Sequence, residues 1–270
     1  MNEYARDDIL VDADWLESRL GEPNLRVVDC DLPDAFGRAH LPGAVNPKDH
    51  YYKDPSDSRF IAPPEQFAAM METLGIGDET LVVGYDASGL RLAARLMWSL
   101  NYYGHANVRI LDGGWNLWLK QGRPITMATV KPGAAKFTPK PADETFVGAE
   151  HVMAALQRPD AVVLDVRSDA EWQGKEARGN KRAGRMPGAV HHEWLKNLTA
   201  EDQHYLPAAE LRAAMESLGV TPDKEVITVC QAGIRAASAA VALRLLGYED
   251  VRVYDGSFQD WANRDDTPLV

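Results

Sequence analysis

Cysteine is scarce in this chain: Cys30 and Cys230 are the only two among 270 residues. So few cannot form a disulfide framework, and low cysteine use marks a reducing compartment in which both exist as thiols. Long apolar runs are missing too. No stretch approaches the roughly 18 residues that span a bilayer, and Met1 to Asp8 is polar and mixed in charge, unlike a signal peptide. Positive charge is in deficit, with a formal net charge of -11, which argues against a general nucleic-acid or anionic-membrane surface. The histidines do not cluster as metal ligands: His191 and His192 are adjacent and point apart in extended chain, and the other five are scattered. No Walker loop is present, and the Gly113-Gly114 and Gly256 turns lack dinucleotide spacing. The expectation is a soluble, cytoplasmic monomer without a metal.

What remains is ordinary core-forming material, 45% hydrophobic, and one unusual segment. Glu225-Val226-Ile227-Thr228-Val229 is an apolar, largely β-branched run that stops at Cys230, and Gln231-Ala232-Gly233-Ile234 then leads to Arg235 and an alanine-rich stretch. That order places Cys230 in a tight turn between the C-terminal end of a buried strand and the N-terminus of a helix. Unpaired backbone N–H groups and the positive end of the helix dipole favour an anionic sulfur there. Arg235 adds a full charge to the same end.

The chain also contains itself twice. Leu10-Val11-Asp12-Ala13-Asp14-Trp15-Leu16 matches Phe146-Val147-Gly148-Ala149-Glu150-His151-Val152, an offset of 146 − 10 = 136, and Val27-Val28-Asp29 matches Val163-Leu164-Asp165 at the same offset. Pro42-Gly43-Ala44-Val45 matches Pro187-Gly188-Ala189-Val190 at 187 − 42 = 145, so the second half carries 145 − 136 = 9 extra residues in between. Further on, Asp86-Ala87-Ser88-Gly89-Leu90-Arg91 pairs with Cys230-Gln231-Ala232-Gly233-Ile234-Arg235, and Asp112-Gly113-Gly114-Trp115 with Asp255-Gly256-Ser257-Phe258. Short β-branched runs (Leu25–Val28, Thr80–Val83, Val108–Leu111) alternate with helical periodicity over Pro64–Leu74 and Leu90–Tyr102. Such alternation predicts parallel strands with helices on both faces, and ligands beyond the carboxyl ends of the strands. Residues 131–143, rich in Pro, Lys and Ala, read as a linker.

The halves disagree informatively. The counterpart of Cys230 is Asp86, read here as a helix cap whose oxygens accept from the N–H groups that Cys230 leaves open. The extra segment, Gly174 to Arg185, holds Lys175, Arg178, Lys181, Arg182 and Arg185 against Glu176. It reads either as an anion-steering rim or as a charged exposed loop. Arg167, directly after a strand, is expected to touch substrate. Cys30 has no glycine turn after it and reads as a buried structural thiol.

With the repeat and the loop in hand, the chain resembles the two-domain rhodaneses, the thiosulfate and mercaptopyruvate sulfurtransferases. The resemblance covers essentially the whole length. It rests on His40-Leu41-Pro42-Gly43-Ala44, Met186-Pro187-Gly188-Ala189, Asp165-Val166-Arg167, the Cys230 loop, and Asp255-Gly256-Ser257 with Trp261. It implies an α/β fold of two tandem rhodanese-like domains, each a mainly parallel sheet flanked by helices. Residues 1–130 would form the inactive domain, 131–144 the linker and 145–270 the catalytic domain. Cys230 would be the sulfur acceptor, with Gln231, Ala232, Gly233, Ile234, Arg235 and Arg167 binding substrate and no cofactor. The implied partners are a small anionic sulfur donor and a thiol or cyanide acceptor.

Gln231 and Ala232 are neutral where thiosulfate-specific members often carry cations, and Gln-Ala-Gly-Ile-Arg departs from the mercaptopyruvate loop. Arg235, like the loop-closing arginine of some thiosulfate members, favours thiosulfate over mercaptopyruvate. A persulfide carrier for a protein partner is the rival of a different class. A cysteine-loop phosphatase fits less well, since such loops place five residues between cysteine and arginine and this chain places four, Gln231 to Ile234.

Overall fold

The computed structural model describes residues 3–142 and 146–270, which divide into two compact units. One is made of residues 8–142 with 199–204, the other of residues 3–7, 146–198 and 205–270. The ends of the two expected segments that meet at 143–145 lie outside the described residues.

In the first unit the order is β1 (Leu10–Val11), α1 (Ala13–Glu17), β2 (Leu25–Asp29), α2 (Pro33–Arg38), α3 (Pro64–Thr73), β3 (Leu81–Tyr85), α4 (Arg91–Tyr102), β4 (Val108–Leu111) and α5 (Gly114–Lys120). The second runs α6 (Ala149–Ala155), β5 (Ala161–Asp165), α7 (Asp169–Trp172), β6 (Val190–His191), α8 (Ala208–Glu216), β7 (Glu225–Val229), α9 (Ile234–Leu245), β8 (Val251–Val253) and α10 (Ser257–Trp261).

The sheets are ordered β1-β4-β3-β2 and β6-β5-β7-β8, and every strand pair in them is parallel. Single parallel bridges complete the repeat. Val28 meets Val45 where β5 meets β6, and Phe146 meets Val253 where β1 meets β4. The expected fold class, two tandem α/β domains each with a mainly parallel sheet flanked by helices, is the observed one.

The strand carrying the candidate site shows why the sequence folds this way. All of β7 is buried, flanked by β5 and β8, with Val163 beside Ile227 and Asp165 beside Val229. A parallel strand covered on both faces reads as a continuous apolar run, and Glu225 to Val229 is one apart from its first residue and Thr228. Thr228 is reconciled with burial through its hydroxyl, which bonds to Ala236 O at 3.1 Å and Arg252 O at 3.2 Å. Val163, Ile227 and Val229 pack with Tyr254, Phe258 and Trp261, so β7 leaves the core directly at Cys230. In the first unit Val27, Val83, Tyr85, Leu111 and Trp118 form the matching core below Asp86.

Residues 131–142 do not run free. Phe137 is buried, Lys136 O accepts from Asp78 N at 3.1 Å, and Lys140 N donates to Tyr103 O at 2.9 Å, so the stretch that reads as a linker is a strap on the first unit. Among the described residues no helix is long and apolar enough to cross a membrane.

Candidate active site

Cys230 follows β7 immediately and is 1% exposed. Gly233 takes φ +82°, the left-handed conformation glycine adopts without strain, and α9 begins at the next residue. The N–H groups of Ala232, Ile234 and Ala236 find no acceptor among the described residues, while Ala237 N already bonds to Gly233 O at 3.1 Å.

The first half supplies the control for this loop, because there the nest is occupied. Asp86 Oδ1 accepts from Ser88 N at 2.7 Å and Leu90 N at 3.0 Å; Oδ2 accepts from Leu92 N at 2.9 Å and Ala93 N at 2.8 Å. In the aligned register those donors are Ala232, Ile234, Ala236 and Ala237 (88 + 144 = 232). A carboxylate built into the chain therefore sits where the second half leaves room for an anion on sulfur. Asp86 caps α4 from a distance, since Leu90, at φ +62°, holds the formal cap position. The donor set also reaches Ala236, one residue past the Gln231–Arg235 stretch expected from sequence.

Helix α10 grips the same turn from the other side. Phe258 N donates to Cys230 O at 3.0 Å, Gln259 N to Gln231 O at 2.8 Å, and Cys230 N to Ser257 Oγ at 3.1 Å. The backbone of Cys230 is thus tied at both its N–H and its C=O.

The charges around the loop are mostly committed. Arg235 makes a bidentate pair with Glu171, at 2.6 and 2.8 Å, tying α9 to α7. Burial opposes the Glu171 charge, yet Arg235, followed by the Ser168 N–H and hydroxyl, holds its carboxyl down to about 2. Burial likewise opposes the Arg235 charge, which Glu171 and the neighbouring Cys230 push upward. Arg235 therefore holds the loop in shape and lends its field to the sulfur.

Arg167 departs from expectation. It is 2% exposed; its guanidinium binds Asp165 at 2.7 and 3.0 Å and Gly184 O at 2.9 Å, and lies 3.3 Å from the centre of the Phe258 ring. A cation so enclosed supports the strand end and the strap of the extra segment and offers no face to substrate.

The extra segment divides in the same way. Arg182 is spent on the main chain, bonding to the carbonyls of Trp261 at 3.0 Å and Thr267 at 2.7 Å. Asn180 and Gln231 exchange amide hydrogen bonds at 3.0 and 3.1 Å, and Asn263 joins them at 3.1 Å. This fastens the segment to the residue after Cys230. Arg178 is 57% exposed in its side chain, is held at φ +52°, and reaches Glu171 only at 4.0 Å, and Lys175 and Lys181 are exposed beside it.

Known proteins resemble this chain along its length. The Rhodanese-like domain model matches residues 12–121 and again 148–264. The chain belongs to the rhodanese family. Relatives of this rhodanese include the "Sulfur carrier protein TtuD" of Thermus thermophilus, 34% identical over 99% of this chain and 98% of that one. Another is the "Thiosulfate sulfurtransferase" of Azotobacter vinelandii, 30% identical over 100% of this chain and 99% of that one. Among solved structures, the anaerobic ergothioneine biosynthesis enzyme from Chlorobium limicola, in complex with trimethyl histidine, superimposes with a TM-score of 0.91 at 25% identity. That match covers 100% of this chain and 71% of the other. The rhodanese is thus a member of the sulfurtransferase group by its relatives, one of which is named a carrier.

Reading the sequence of this rhodanese alone missed Glu171, Asn180 and Ser257. A signal existed for Ser257, since the repeat sets it against Gly114. Glu171 carried a capping-box signal with Ser168, which the structure forms, but nothing in the sequence pointed it at Arg235.

Proposed function

We propose that this chain is a sulfurtransferase that takes sulfane sulfur from thiosulfate or a similar small anionic donor and passes it to cyanide or a thiol. The carrying observation is the pair of nests, one filled by the Asp86 carboxylate and one with three backbone N–H groups unclaimed around Cys230. The Cys230 thiolate attacks the outer sulfur of thiosulfate, the S–S bond of the donor breaks, and sulfite leaves with the electron pair. The Cys230 persulfide anion then rests on the N–H groups of Ala232, Ile234 and Ala236, donors already aimed before the charge arrives. Cyanide or a thiolate attacks the outer sulfur, the persulfide bond breaks, and the Cys230 thiolate returns. Charge balances in both steps, and neither calls on a cofactor. Arg178 meets the anionic end of the donor, and Arg235 and Gly233 keep the loop in shape.

The named carrier among the relatives favours a second reading, in which Cys230 hands its sulfur to a partner protein. Mercaptopyruvate as donor is the same chemistry on an organic substrate. Steady-state turnover with thiosulfate and cyanide, set against mercaptopyruvate and a thiol, separates the three. The account expects thiosulfate to dominate; turnover with mercaptopyruvate alone, or with neither donor, overturns it.

A further inference from the structure

Ser257 carries a conformation that asks for a reason. It is 0% exposed and has φ +46°, the left-handed region that side chains other than glycine enter at a cost. The repeat shows that glycine serves this backbone: its counterpart Gly114 has φ +53°. A Cβ on Gly114 would come within 2.3 Å of Asp86 O, so the first half excludes a side chain there. The second half has rebuilt the approach to admit one. Gly113 in the first half takes φ +77°, whereas Gly256 takes φ −62°.

The side chain admitted at this expense is used on one residue. Its hydroxyl donates to Tyr254 O at 2.7 Å, which turns an oxygen lone pair toward Cys230 N, accepted at 3.1 Å. Together with Phe258 N on Cys230 O, this fixes both peptide groups of the nucleophile against α10.

We propose that Ser257 is a positioning residue for Cys230, holding the sulfur in line with the N–H groups of Ala232, Ile234 and Ala236. The inference rests on the sulfur-transfer reading of that site and deepens it. Without the hydroxyl the Cys230 amide loses its acceptor, the turn gains freedom, and the sulfur loses the alignment that stabilises its anion.

The test uses the full chain with Ser257→Ala and Ser257→Gly, the latter copying the residue the first half uses on the same backbone. The pH profile of Cys230 alkylation by iodoacetamide, followed on the Cys230 peptide, reads thiolate stabilisation directly. Turnover with thiosulfate and cyanide reads catalysis. In both variants the alkylation profile moves to higher pH. Turnover falls about tenfold to a hundredfold, the scale of a small misplacement, with the Michaelis constant for thiosulfate little changed. A folded variant that keeps the wild-type profile and turnover, whatever its melting temperature, overturns the proposal. If the wild-type chain does not turn over thiosulfate, the sulfur-transfer reading fails, and the alkylation profile still decides the role of Ser257.

Discussion

Asp31 stands where the second half has Arg167 (31 + 136 = 167), and that exchange alters the charge state of the first unit. Asp165 is neutralised by Arg167, but Asp29 faces another carboxyl instead. Burial first, then the charges of Asp86 and Asp29, push the Asp31 carboxyl up to about 7, in a cavity of about 150 Å³ that Arg38 and Trp115 also line. A carboxyl whose folded value lies above its unfolded one near 3.8 favours the fold fully below that value, and the contribution is lost as pH rises through about 7. Asp31→Asn should therefore raise the melting temperature at pH 8 and change it little at pH 4, as read by thermal denaturation. An equal effect at both values would remove the charge from the account. The two arginines once grouped as rim or substrate residues separate by a different measurement. Arg167→Ala, which strands a buried Asp165, should cost about 3–5 kcal/mol of stability. Arg178→Ala should leave stability near wild type and raise the Michaelis constant for thiosulfate, as lost binding does.

At the scale of elements, the ion pair Arg235–Glu171 joins α7 to α9, with Glu171 buried. Removing one partner leaves the other charge unpaired, so Arg235→Ala should destabilise by about 3–5 kcal/mol, and the double change to alanine at both positions should cost less than the two single changes summed. Additive costs in denaturant titrations would mean that the pair contributes no coupling. This level also shows what the sequence could carry. The strand Glu225–Val229, the turn at Gly233 and the helix after it were legible because each is encoded locally, by an apolar run, a glycine and an alanine-rich stretch. Helices Pro64–Thr73 and Arg91–Tyr102 fell within a residue of their expected bounds for the same reason. Arg167 was misjudged because its position after a strand says nothing of Asp165 closing on it, or of Gly184 O arriving from the extra segment. The Asn180–Gln231 amide pair joins residues 51 positions apart, a separation over which the sequence has no local signal.

Across the whole molecule, duplication has given one backbone device two occupants. The Asp86 carboxylate satisfies four backbone N–H groups, and so stabilises the first unit permanently. Cys230 leaves three of the four equivalent groups, those of Ala232, Ile234 and Ala236, available to an anion that comes and goes. Asp86→Ala should lower stability by about 2 kcal/mol, the upper end for a lost cap, with turnover per folded molecule unchanged; a matching loss of turnover would place Asp86 in the chemistry. The repeat, and the exchange of aspartate for cysteine within it, were readable from the sequence. So was a carboxylate accepting from that turn; which four N–H groups it takes was not, because the backbone path that aims them is not written in side-chain identities. The most direct test of sulfur transfer through Cys230 is peptide mass analysis after incubation of the full chain with thiosulfate. The account predicts one added sulfur on the Cys230 peptide, removed by cyanide, and none in Cys230→Ser. Sulfur carried on the Cys30 peptide, or an unmodified Cys230 in a chain that still turns over thiosulfate, would contradict it.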